Sequence, residues 1–151
     1  MKKLLYVVMF FALLLSACGK DEAPKKGQAE KAQTIEDVVA SVVNGKYDVK
    51  KNDGDVTISI HDTDVQNGSK SQMLKDSTKI FAELSKLKEV KAPLIIWYAP
   101  LEDSAGNETM DEVMGVSFDA EAFKKVDWIN YKELNIESMA TEYRQSDALG
   151  D

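Results

Sequence analysis

Cysteine, histidine and proline are the scarce residues of this chain, with one Cys, one His and three Pro in 151 residues. With Cys18 alone, no disulfide can form within one chain, so a folded domain must hold itself together by its core. With His61 alone, a catalytic zinc centre built from three protein ligands, usually rich in histidine, is not visible. No Ser or Cys nucleophile stands in a recognisable catalytic setting either. A basic stripe is also lacking. The formal net charge is -7, and from Thr34 onward 13 Lys and Arg face 23 Asp and Glu. That balance argues against a nucleic-acid partner, because such binding rests on neutralising phosphates. Strands and helices do not alternate in the manner that builds a parallel sheet, and no internal repeat is evident beyond two hairpins.

The apolar content that is present begins at the N-terminus. Lys2 and Lys3 form a short positive region, Leu4 to Leu15 is an unbroken apolar run, and Ser16 and Ala17 are small. This is the layout of a secretory signal peptide, and the run falls short of the roughly 20 residues that a spanning helix needs. Leu15-Ser16-Ala17-Cys18, followed by Gly19, resembles the lipobox of bacterial lipoproteins. The resemblance covers only the first 19 residues. It implies that a diacylglycerol is attached to the Cys18 sulfur, that residues 1–17 are cut away, and that the new N-terminus can be acylated too. A thiol suits this chemistry because its thiolate is a strong nucleophile, and two or three acyl chains hold a protein at a membrane where one binds marginally. Residues 18–33 contain no large apolar side chain and read as a flexible tether, its ends about 20 Å apart on average.

The remainder, 34–144, reads as one small α+β domain, with 145–151 as a frayed tail. Thr34 to Gly45 is an amphipathic helix, capped by Thr34 and stopped by Gly45. Lys46 to Lys51 and Asp55 to His61 flank Asn52-Asp53-Gly54 as a hairpin. Lys70 to Lys88 is the longest helix, with Met73, Leu74, Ile80, Phe81, Leu84 and Leu87 on one stripe and Lys75, Asp76, Lys79, Glu83 and Lys86 elsewhere. Leu94 to Ala99 is a buried strand, and Glu108 to Phe118 returns from it as a second hairpin. Asp119 caps a short helix, Ala120 to Lys125, and Asn135 caps another, Ile136 to Arg144. The expectation is an antiparallel sheet of about four strands, made of two hairpins, with helices packed mainly on one face.

Three groups of residues invite a chemical reading. His61-Asp62-x-Asp64 places a histidine near carboxylates. As a calcium loop, however, Asp62 to Met73 fails, because the glycine is at position seven and position twelve is Met73 rather than Glu. Asp53, Asp55, Asp62 and Asp64 make a weak oxygen site only if the hairpin ends converge. Glu102, Asp103, Glu108, Asp111 and Glu112 cluster at a hairpin tip, whereas glycosidase chemistry needs two carboxylates across a deep cleft. The aromatic residues Trp97, Tyr98, Trp128 and Tyr131 are the first choice for a binding face. Trp97 and Tyr98 alternate on one strand, and exposed Trp and Tyr anchor interfaces.

No catalytic motif stands out, and neither a metal nor a cofactor is expected. The reading is a lipid-anchored extracytoplasmic binding module of the bacterial cell envelope, held to the membrane through Cys18 and partnered by an envelope protein or wall polymer. In overall design it resembles the small lipoproteins of Gram-positive cell envelopes; in a Gram-negative cell the outer membrane is open to it. The alternatives are an envelope hydrolase using the acidic loops or His61, and a small-ligand or metal-binding lipoprotein.

Overall fold

The Asp53-Gly54 step begins the sheet. Asp53 and Gly54 both take positive φ, 46° and 95°, the pair of left-handed residues that a tight hairpin turn demands. They join β1 (Lys46–Asn52) to β2 (Asp55–His61) in antiparallel register, with Val49 opposite Ile58. The structure is a computed structural model, and it describes residues 33–63, 69–102 and 105–150. The expected signal peptide, 1–17, and the expected tether apart from Gln33 lie outside the described residues. Among the described residues no helix is long and apolar enough to cross a membrane.

The chain then departs from two separate hairpins. From β2 it passes through the helix Ser69–Leu84 into β3 (Ala92–Glu102), which pairs with β2 in parallel, Ile58 beside Ile95 and Ile60 beside Trp97. A parallel pair needs a crossover of a dozen residues or more, and the long helix supplies it. β3 pairs antiparallel with β4 (Glu108–Ser117), and β4 pairs antiparallel with a fifth strand, β5 (Glu142–Gln145). The result is one mixed sheet in the order β1-β2-β3-β4-β5, in place of the expected four antiparallel strands.

Among the described residues, four α-helices accompany the sheet. α1 is Ile35–Ala40, the long crossover helix is α2, and α3 and α4 are Ala120–Lys125 and Ile136–Met139. Thr34 caps α1 through a capping box with Asp37, as the sequence predicts, but the helix stops at Ala40. Val42 and Val43 leave the helix half-buried, in keeping with the poor propensity of β-branched residues where packing does not impose a helix. Gly45 does not act as a left-handed stop. An added Cβ there would lie 2.9 Å from the His61 carbonyl oxygen, so the residue permits close approach of two backbones. At the other end, Ile136 to Arg144 is not one helix. It makes one turn, Ile136–Met139, and then extends, because the open edge of β4 offers Val116 and Ser117 as partners for Tyr143 and Glu142.

Registered neighbours point to the same side of a sheet. Val56, Ile58, Ile60, Pro93, Ile95, Trp97, Met114 and Val116 therefore share one face, and all are buried. Ile35, Val38, Val39, Ile80, Phe81 and Leu84 belong to the same core. Thr57, Ser59, His61, Leu94, Ile96 and Tyr98 occupy the opposite face and are half-buried.

Candidate functional site

A groove of about 740 Å³ runs between α2 and the stretch Tyr131 to Glu137, with Leu149 also in its lining. That volume is within the range of small-molecule sites. α2 builds the first wall. Its core stripe of Met73, Ser77, Ile80, Phe81 and Leu84 is buried, which leaves Leu74 and Thr78 on the groove side with Lys75 and Lys79 next to them. The Thr78 hydroxyl donates to the Leu74 carbonyl at 2.6 Å, so its polar atom is satisfied locally. The second wall begins in a 3-10 helix, Trp128–Glu133, and runs through Leu134 and Asn135 into α4. Asn135 accepts the Ser138 N–H and starts α4, so Ile136 is buried while Leu134 stays partly open. Leu149 comes from a terminal 3-10 turn, Asp147–Leu149, whose cap is Ser146.

Four lysines and two carboxylates line this groove: Lys70, Lys75, Lys79 and Lys132 against Asp76 and Glu137. Both carboxylates are engaged. Lys70 Nζ lies 3.1 Å from Glu137 Oε1, and the Gln72 side-chain amide donates to Asp76 at 2.9 Å. Tyr143 sits near the Lys70–Glu137 pair; burial pushes its phenol up, Glu137 adds to this, and Lys70 opposes it. Among the described residues, no carboxylate lies within ion-pair distance of Lys75, Lys79 or Lys132. The groove is thus locally basic on an acidic domain.

The four aromatic candidates do not form one face. Trp97 is 3% exposed, and its indole N–H donates to Ser77 Oγ at 2.9 Å. Trp128 is 9% exposed, donates to the Phe123 carbonyl at 2.8 Å, and packs with Phe81, Phe118 and Phe123 at ring separations of 5.2 to 5.9 Å. Trp97 is thus withdrawn from the surface, whereas Trp128 keeps an edge in the lining of a second groove beside Asp127 and Ile129. Tyr98 lies on the opposite sheet face, stacked on His61 at 5.2 Å with planes 15° apart. Tyr131 alone reaches the groove.

The acidic candidates are also dispersed. His61 Nε2 lies 3.5 Å from Asp48 Oδ2. Asp53 lies in the turn before β2 and Asp55 opens that strand, while Asp62 follows its far end, about 20 Å away at strand rise. Asp64 and Asp103 lie outside the described residues. Glu102 and Glu108 face each other at the exposed end of the β3-β4 hairpin. Thr109 donates to Asp111 at 2.6 Å. Glu112 binds Arg144, and this carboxylate, followed by the weaker influence of Glu142 and Tyr98, holds the guanidinium above its ordinary pKa. No group of three His, Cys, Asp or Glu among the described residues is placed to hold a metal.

Sequence reasoning missed the groove lysines. Lys75 and Lys79 were separable from the core stripe by spacing, and their i, i+4 relation puts them on one side of a helix, but only the packing of 131–137 beside that side turns it into a groove. Set against protein-family models, curated proteins and solved structures, the chain matches none of them.

Proposed function

We propose that this protein is a lipid-anchored, extracytoplasmic binding module of a bacterial cell envelope, and that the groove beside α2 is where it binds. The observation that carries the binding reading is that groove, with apolar residues in its lining and with Lys75, Lys79 and Lys132 lacking described carboxylate partners. Convergent polar groups around an apolar concavity are what small-ligand sites share. Among the described residues, the scattered acids and the single histidine form no comparable cluster. The anchor reading is carried by Lys2-Lys3, the Leu4 to Leu15 run and Leu15-Ser16-Ala17-Cys18. Cleavage before Cys18 leaves a more acidic chain, which an anionic surface repels, so the lipid holds the membrane and the domain stands off it.

The anchor is tested by feeding cells a clickable palmitate analogue and comparing the natural chain with Cys18→Ser. The expected result is label and membrane sedimentation for the natural chain, with the label lost and residues 1–17 retained in the variant. Equal labelling, or normal processing of the variant, would sink the anchor.

A further inference from the structure

We infer that the α2 groove takes an amphiphile whose head is a phosphate or diphosphate and whose body is an apolar chain. The inference rests on the groove being the module's binding site, and it names the ligand class.

Charge matching comes first. Glu137 is neutralised by Lys70, and Asp76 is held by Gln72. Lys75, Lys79 and Lys132 then remain around one cavity with no described carboxylate in reach. Asp76 keeps its charge beside a neutral amide, so four lysines against two carboxylates leave the groove a net charge of +2, which exceeds what a single carboxylate needs and suits a head carrying two negative charges. Lysine serves phosphate well as a mobile point charge. The same site is not a simple inorganic-anion site, because Leu74, Leu134, Ile136 and Leu149 contribute to its lining. Solvating a bare anion gains nothing from that surface, whereas burying an apolar chain gains about 25 cal/mol per Å².

The walls argue against an extended acidic peptide. An added strand needs a sheet edge to pair with, and this groove is bounded by α2, a 3-10 helix and α4, whose backbone groups serve the helices themselves. The cavity of about 740 Å³ accommodates a ligand of small-molecule size.

The test is calorimetric titration of the full chain in phosphatidylcholine nanodiscs, with empty discs subtracted. The probes are monooctyl phosphate, octanol, inorganic phosphate and an acidic amphipathic peptide. Monooctyl phosphate is expected to bind at least tenfold more tightly than octanol or inorganic phosphate. Lys75→Gln with Lys79→Gln, and separately Lys132→Gln, are expected to weaken it at least tenfold; all three side chains are exposed, so the fold survives. Binding no tighter than the two half-probes, or unchanged in the lysine variants, overturns the proposal. Preference for the peptide, lost in the same variants, overturns the ligand class while leaving the groove as a binding site. If no probe binds, the ligand class and the groove reading fall together.

Discussion

At the scale of single residues, the indole of Trp97 shows how a polar atom is carried into a core. Ser77 is fully buried on α2, yet its hydroxyl is satisfied because the Trp97 N–H reaches it. Removing one partner of a buried pair costs more than removing both. Trp97→Phe is therefore expected to lower stability by about 1–3 kcal/mol, and adding Ser77→Ala to cost little further. Urea denaturation of the two single variants and the double variant checks this; losses that simply add would mean the pair is not coupled. Gly115 illustrates the opposite economy of space. A Cβ there would lie 2.7 Å from the Arg144 guanidinium carbon, so the absent side chain lets Arg144 lie across the sheet face to meet Glu112.

At the scale of elements, the C-terminal stretch changes most between sequence and structure. A helix to Arg144 and a frayed tail were the expectation. The chain instead adds β5 at the edge of β4 and closes with a 3-10 turn that buries Leu149 to 6% exposure. Ser146 N–H donates to the Val113 carbonyl at 2.8 Å, tying this turn to β4. Leu149→Ala is expected to cost about 2–5 kcal/mol, as for a buried leucine, in thermal or chemical denaturation. A change within about 0.5 kcal/mol, typical of surface sites, would return residues 146–150 to a loose tail.

At the scale of the whole molecule, the acidic charge is held unevenly. Asp119 accepts the Ala122 and Glu121 N–H groups at the start of α3 and the Thr141 hydroxyl from the approach to β5. These bonds, the one to Ala122 first, hold its carboxyl below the ordinary value of 3.8. Lys51 similarly lowers Glu36. A group whose native pKa is depressed stabilises the fold above its unfolded pKa and loses that contribution as pH falls through the native one. The melting temperature of Asp119→Ala is accordingly expected to lie below that of the natural chain at neutral pH. The gap closes at acid pH, once Asp119 is protonated in both states. Calorimetry from neutral pH down through the carboxylate range reads this directly; a gap independent of pH would show that the cap acts without its charge.

What the sequence by itself determined was local. The Thr34 and Asp119 caps, the Asp53-Gly54 turn, the alternation of Val56, Ile58 and Ile60, and the long amphipathic α2 each depend on neighbours a few residues away, and each is present. The α+β class follows from them. The tertiary structure decided what depends on partners distant along the chain. It made β2 and β3 parallel, because α2 is long enough to carry the chain back across the sheet. It drew residues 142–145 out of a helical pattern, because an unpaired strand edge was waiting. It buried Trp97 and left only an edge of Trp128 in a second groove, and so divided the aromatic candidates among separate places. The groove arises in the same way, since Lys75 and Lys79 differ from any solvated helix face only when Lys132, Leu134 and Leu149 are folded in beside them. Spacing along a chain reports which residues share a face, while the face they meet is set by packing.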